Sequence, residues 1–575
     1  MLDLAITGAT VVDGGGGRPV TADVGVRDGR VAAVGTLDEP ARETLDADGL
    51  VVSPGFVDPH THYDAQLWWD PFATPSSWHG VTSVIGGNCG FTLAPLNKGD
   101  GDYLRRMMAQ VEGMPLAALE EGVDWSWESF GEFLGGLDGN LGVNAGFLVG
   151  HCALRRYVMG PDAVGREATE REVAEMADVL RRSLAAGGLG LSTTRSSTHK
   201  DGDGEPVASR WASPEELISL CRVVGEYPGT TLEGMVQGCL DRFSDEEIEL
   251  FATMSATAGR PLNWNVLTVD STDADKIAHQ LRAAARAREL GGRVVALTMP
   301  ILVPMNMSFR TFCALWLIPG WDEVLRGTVE ERVARLGDPR VREDMLAKAR
   351  TSTFARLAEF GNYVIGDAFH PDLREFVGRR VDELAAERGE DPFTTLAAIV
   401  CKDELRTVLW PQPTSDTAND WALRSLVWEH PDVMLGGSDA GAHLDRMCGS
   451  PYFTRFLADS LRGRRLVSLE RAVQLLSDVP ARLFGLRGRG RLEPGYHADI
   501  VVFDPETVDA GPATLVPDLP GESPRLIAES VGVRHVFVNG VETIRDGAPT
   551  GRLPGTVLRS GTETDTVQTR KAALR

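Results

Sequence analysis

The sequence predicts a mixed α/β fold: a TIM-like (β/α)8 barrel, a small β-sandwich domain formed from both chain ends, and a helical insertion over the barrel mouth. Three observations lead there. From about residue 55 to 300, short apolar runs alternate with amphipathic stretches, the pattern of a parallel sheet with crossover helices. Short strands with tight turns stand at both ends of the chain, outside that alternation. Residues 303–425 lose the strand signals and carry Trp316, Trp321, Trp410 and Trp421, which suits an insertion that shapes a pocket. The expected division is 1–54 and 486–554 for the halves of the β-domain, 55–485 for the barrel, and 555–575 for a polar, frayed tail.

The elements follow in order. Residues 4–12 (LAITGATVV) read as a strand, and residues 23–34 as a hairpin turning at Asp28-Gly29. Residues 51–57 read as one apolar strand running up to His60 and His62. Further barrel strands are expected at 82–85, 145–149, 190–192, 262–267 and 294–297. Helices are expected at 169–186, opening on a Thr-x-x-Glu cap signal, and at 273–290. Residues 433–443 repeat the pattern of a short strand ending in a polar cluster, and 469–483 is helical. Residues 499–503 and 533–538, the latter followed by Asn539-Gly540, return to the β-domain.

Bulk properties exclude several function classes. The 575-residue chain has 58 basic and 82 acidic side chains, a net charge of −24, which argues against a nucleic-acid partner. Its seven cysteines are scattered without a CxxC pair, so reduced thiols and a cytoplasmic location are expected. The first ten residues lack a basic leader region, and no 18-residue apolar run predicts a membrane span.

The chemistry is expected where strands end, because barrel strands deliver their C-terminal residues to one mouth. His60 and His62 stand at i and i+2 of PGFVDPHTHYD (54–64), so an extended strand would direct both imidazoles to one point. Cys89 follows the apolar run at 81–85, and Asp439 ends the one at 433–435. Two imidazoles, a thiolate and a carboxylate make a complete site for one divalent ion of the zinc type. Four protein ligands would close a tetrahedral site, so either the ion takes a fifth ligand or Asp439 binds it weakly.

Residues 54–95, including PGFVDPHTHYDAQ and HGVTSVIGGNCGFTLAP, strongly resemble the D-aminoacylase group of the amidohydrolase superfamily. Further echoes are GHCALR (150–155), GLGLST (188–193), LGGSD (435–439) and GRLEPGYHADIVVFD (490–504). The resemblance implies hydrolysis of N-acyl-D-amino acids. It makes His60, His62, Cys89 and Asp439 the metal set, with Asp439 also the catalytic proton shuttle. Metal-bound hydroxide would then attack the amide carbonyl. Arg446 is offered for a substrate carboxylate, with His151 and His443 as further substrate-binding candidates.

The departures are specific. Two histidines that hold a second metal in the group have no counterpart in TTLEGM (230–235) or PLNWNV (261–266), and a lysine is lost with them. One ion is therefore expected, with Glu233 a candidate substitute ligand. The substrate is expected to be a small-molecule amide. The alternatives are a cyclic-amide hydrolase of the hydantoinase or lactamase kind, or a catalytically impaired, metal-stabilised barrel that binds a small ligand. His199, Lys200 and the acidic run 201–205 read as a solvated loop.

Overall fold

The computed structural model describes residues 1–310, 313–352 and 354–569. The chain divides into two compact units, one of Met1–Val303 with Thr417–Arg575 and one of Pro304–Asp416.

In the first unit, strands from both chain ends share one nine-stranded sheet. Leu2–Val11 pairs antiparallel with Val20–Arg27, which turns back as Arg30–Gly35. The turn residues Asp28 and Gly29 have φ of 51° and 72°, the left-handed pair that a two-residue hairpin needs. Ile500–Phe503 lies between Val51–Pro54 and Val533–Val538, antiparallel to both. Asn539-Gly540 makes a second turn of the same kind, with φ of 48° and 78°. Where a sandwich is expected, the strand pairing gives this one sheet and two separate ribbons, Asp509–Ala510 with Ser530–Val531 and Thr514–Leu519 with Ser523–Ile527.

The body of the unit is a parallel α/β arrangement. Phe56–Asp58, Val81–Gly86 and Asn144–Phe147 form a three-stranded parallel sheet. Val149–Gly150, Gly190–Thr194, Thr231–Met235, Pro261–Trp264, Arg293–Thr298 and Val433–Leu435 form a six-stranded one. Asn144–Phe147 and Val149–Gly150 are one run of chain interrupted at Leu148. Past the ends of Phe56–Asp58 and Val433–Leu435, a parallel bridge joins Thr61 to Ala440. These strands are buried almost throughout, which is why they read as continuous apolar runs rather than alternating ones. Register places Ser192, Glu233, Asn263 and Val295 in one row across four neighbouring strands.

Local chemistry sets the helix ends. Glu170–Ala185 begins at a capping box between Thr169 and Glu172 and buries Met176, Leu180 and Leu184. Asp245–Ala258 starts on a Ser244–Glu247 box and stops at Gly259, φ 61°. The helix expected over 273–290 is two helices, Ala274–Gln280 and Arg282–Leu290, meeting at Leu281. Residues 469–483 likewise divide into Leu469–Leu476 and Asp478–Phe484.

Two expectations are corrected. The run 51–57 is not one strand: Val51–Pro54 belongs to the terminal sheet and Phe56–Asp58 to the parallel one. At the junction, a Cβ on Gly55 would stand 2.2 Å from Thr82 Oγ1, so only glycine passes there. His60 and His62 therefore lie beyond the strand end, flanking the bridged Thr61. Residues 555–569 do not fray. Val557, Leu558 and Thr564 are buried, Leu558 donates its N–H to the Ala145 carbonyl at 2.8 Å, and Thr564 Oγ1 donates to the Gly229 carbonyl at 2.7 Å. The rest of the expected tail, 570–575, lies outside the described residues.

The second unit is mainly helical around its own apolar core, which includes Phe309, Trp321, Phe360, Tyr363, Phe393 and Leu396. It also holds a short antiparallel pair, Tyr363–Ile365 with Leu409–Pro411. Among the described residues, no helix is long and apolar enough to cross a membrane.

Candidate metal centre

His60, His62 and Cys89 are all buried, and each offers a ligand atom within 4.8 Å of the others'. Cys89 Sγ stands 3.6 Å from His60 Nε2. Asp439 Oδ1 lies 3.1 Å from His60 Nε2 and 3.8 Å from His62 Nε2. Ligands of a tetrahedral zinc stand about 3.3–3.7 Å apart, given metal–ligand bonds of about 2.0–2.3 Å. The observed separations bracket that range. Asp439 is not part of the three-donor group and sits at its edge, with its side chain 20% exposed.

Cys89 is held in an unfavourable backbone conformation, φ 53°, between Gly87 (72°) and Gly90 (79°). The turn is fastened on every side. The Cys89 N–H donates to Glu233 Oε2 at 2.8 Å, and the Gly90 N–H to Ser192 Oγ at 3.0 Å. Asn88 Nδ2 donates to the carbonyls of Thr61 and Ile85 at 3.1 and 2.9 Å. The inward row Ser192–Glu233 thus supports the cysteine rather than standing apart from it.

Asp439 is also left-handed, φ 49°. Its neighbour Ser438 donates Oγ–H to Asp58 Oδ2 at 2.7 Å and takes the Ala440 N–H at 3.0 Å. That bond ties the first parallel strand to the last. Asn265 Nδ2 donates to Asp439 Oδ1 at 3.1 Å and lies 3.3 Å from His60 Nε2.

The electrostatics call for a cation. Burial pushes the Cys89 thiol well up, aided by Glu233, Glu112 and Asp439. Burial raises the Glu233 carboxyl to about 7 despite His60 and the Cys89 N–H. Burial opposes ionisation of Asp439 too, but its hydrogen bond to His60 and the nearby histidines hold it down at about 2. Burial beside His60 pushes His62 down to about 3, so its ring is neutral and able to ligate. Among the described residues, Glu233 Oε1, His60 Nδ1 and His62 Nδ1 are buried without hydrogen-bond partners. Two imidazoles and a thiol gathered within reach of one point, with the Asp439 carboxylate at their edge, are a donor set that fits a divalent ion.

The remaining expected residues divide. His443 and Arg446 lie on the loop that follows Asp439, with Arg446 Nη2 3.3 Å from His443 Nδ1. Arg446 is also paired with Asp445 at 3.0 Å. Burial next to Arg446 pushes His443 down to about 4. Among the described residues, no bond brings His151 to the cluster. Its Nδ1 meets Thr193 Oγ1 and its Nε2 meets Glu216 Oε1, each at 2.9 Å, and Glu216 is paired with buried Arg155. Both ring nitrogens of this substrate-binding candidate are thus taken up by buried side chains. His199 corrects the solvated-loop reading. Its Nδ1 meets Thr194 Oγ1 at 2.8 Å, its ring packs edge-on to Phe91 at 5.2 Å, and burial lowers it to about 3 with His443 nearby. Glu112, whose Oε1 is 3.4 Å from His62 Nδ1, had no signal in the sequence.

Comparison with known proteins bears on this site. The model of the amidohydrolase family matches residues 43–549. A D-aminoacylase of Alcaligenes xylosoxydans xylosoxydans is 32% identical over 97% of both chains. The crystal structure of N-acyl-D-glutamate deacylase from Bordetella bronchiseptica, complexed with zinc and a phosphonate mimic of the tetrahedral intermediate, superposes with a TM-score of 0.65. It is 27% identical and covers 97% of this chain and all of its own. A D-aminoacylase structure, described as a binuclear centre with one-metal activation and second-metal attenuation, gives a TM-score of 0.63. It is 26% identical, with 97% of this chain and all of that one covered.

Proposed function

This chain belongs to the amidohydrolase family, and we propose that it hydrolyses the amide bond of N-acyl-D-amino acids with one divalent ion, zinc by preference. The observation that carries the reading is the convergence of His60, His62 and Cys89, with Asp439 at their edge. The two parallel sheets are read as one closed eight-stranded barrel, supported by the run through Leu148 and the Thr61–Ala440 bridge.

His60, His62 and Cys89 would hold the ion, and Asp439 would complete the set. When bound, such an ion supplies Lewis acidity to a carbonyl and acidifies a water. Asp439 acts as the base. Its carboxylate is ionised across the neutral range, and its exposed edge is where a water and a substrate can reach it. It accepts the proton of the attacking water and returns it to the departing amide nitrogen. Asn265, donating to Asp439 Oδ1, orients that carboxylate. The neutral ring of His443 is suited to donate to a substrate oxygen. Arg446, partly neutralised by Asp445, is the candidate for a substrate carboxylate.

A single-ion site is supported by what stands on the neighbouring strand ends. One oxygen of Glu233 is taken by the Cys89 N–H, and Asn265 donates to Asp439. The test is hydrolysis of N-acetyl-D- and N-acetyl-L-amino acids and of cyclic amides by zinc-loaded protein. Turnover of the D series is expected. Zinc uptake with turnover of cyclic amides alone would replace this reading.

A further inference from the structure

The two imidazoles are held differently on their outer sides. His60 Nδ1 has no partner among the described residues. His62 Nδ1 has no formed hydrogen bond either, but a carboxylate oxygen, Glu112 Oε1, stands 3.4 Å from it. His62 Nε2 faces the other way, towards Asp439.

Glu112 is an unusual residue to bury. It caps the C-terminus of the amphipathic helix Gly101–Val111, whose Leu104, Met107, Met108 and Val111 pack inward. Glu112 itself is only 2% exposed. Among the described residues, the one basic side chain within 4 Å of its carboxylate is His62. A buried carboxylate is costly unless a cation or a donor meets it, and among the described residues, besides His62, only the more distant Arg446 acts on it favourably. The backbone fixes it in place. Its N–H donates to the Met108 carbonyl at 2.9 Å, and its own carbonyl accepts the His443 N–H. Gly113, φ 60°, then turns the chain, and a Cβ there would meet Arg446 Nη2 at 2.8 Å.

We propose that Glu112 is the positioning residue of His62: its carboxylate takes the Nδ1–H and so keeps the Nε2 lone pair directed at the metal position. This rests on the metal reading above. A ligating histidine needs its second ring nitrogen held so that tautomer and ring orientation are set, and loss of such a partner costs about 10–100-fold in metal affinity. Through its carbonyl, the same residue fixes the start of the loop that carries His443 and Arg446.

The test is zinc affinity by competition with a chromophoric chelator, with cobalt absorption spectra as a second readout. Glu112→Gln is expected to weaken zinc about 10–100-fold and to shift the cobalt bands. Glu112→Asp, which keeps a carboxylate, should recover part of the loss. On a His62→Gln background, Glu112→Gln should add nothing, because its effect passes through that ring. Wild-type zinc affinity and an unchanged cobalt spectrum in Glu112→Gln overturn the proposal and leave the metal reading intact. So does an equal loss on the His62→Gln background. Should Glu112→Gln not fold, Glu112→Met, which also removes the carboxylate, decides, with wild-type affinity and spectrum counting against the role. A wild-type chain that binds no zinc overturns both readings.

Discussion

The backbone N–H of Cys89 is bonded to Glu233 Oε2 at 2.8 Å, across 144 residues of chain. The bond holds a strained cysteine where its sulfur can face His60. Glu233→Ala should therefore leave a buried N–H without an acceptor and destabilise the fold by about 1–3 kcal/mol. Glu233→Gln keeps an acceptor oxygen and should cost less. Urea unfolding of both variants, paired with zinc titration, checks the order.

Asp439→Asn removes the base while preserving size. Zinc should be largely retained and kcat should fall at least ~100-fold, the scale of a lost acid–base group. Steady-state kinetics beside metal analysis measures both. Full activity in this variant would remove Asp439 from the mechanism.

A buried site that binds its ion only when folded links metal to stability. Zinc at 100 times its Kd should add about 2.7 kcal/mol, and a chelator should lower Tm by the corresponding amount. Cys89→Ala should abolish most of this response. Melting curves with chelator and with added zinc report it directly.

Acid should weaken the fold through His79, away from the metal cluster. Its two ring nitrogens meet Thr454 Oγ1 at 2.7 Å and the Ala528 carbonyl at 3.0 Å, and burial pushes it down to about 4. Unfolded, it titrates near 6.5. Between those values the unfolded chain takes a proton that the folded chain refuses. Its contribution is thus full above pH 6.5 and is lost as pH falls towards 4, by up to about 3 kcal/mol. His79→Gln should flatten the stability profile over that window.

The metal-ligand candidates were legible because they lie in short local patterns. Two histidines one residue apart after an apolar run, and a cysteine and an aspartate after two others, need no knowledge of the fold beyond parallel strands ending together. The caps and the two turns were legible for the same reason, as at Thr169–Glu172 and Asn539-Gly540. What supports the ligands was not. Glu112, Ser192 and Asn265 act across 50, 102 or 205 residues, and each looks locally like an ordinary helix-end or strand polar residue. The break at Gly55 hid inside a continuous apolar run, since only the packing of Thr82 reveals it. The burial of Val557 and Leu558 was masked by their polar surroundings in the chain.

The most direct test of the central claim is a crystal structure of the zinc-loaded protein with anomalous scattering measured at the zinc edge. One ion bonded to His60, His62 and Cys89, with Asp439 beside it and Glu233 still on the Cys89 N–H, is the predicted result. An ion bound elsewhere, or Cys89 Sγ beyond bonding distance of the ion that the two imidazoles hold, would contradict it.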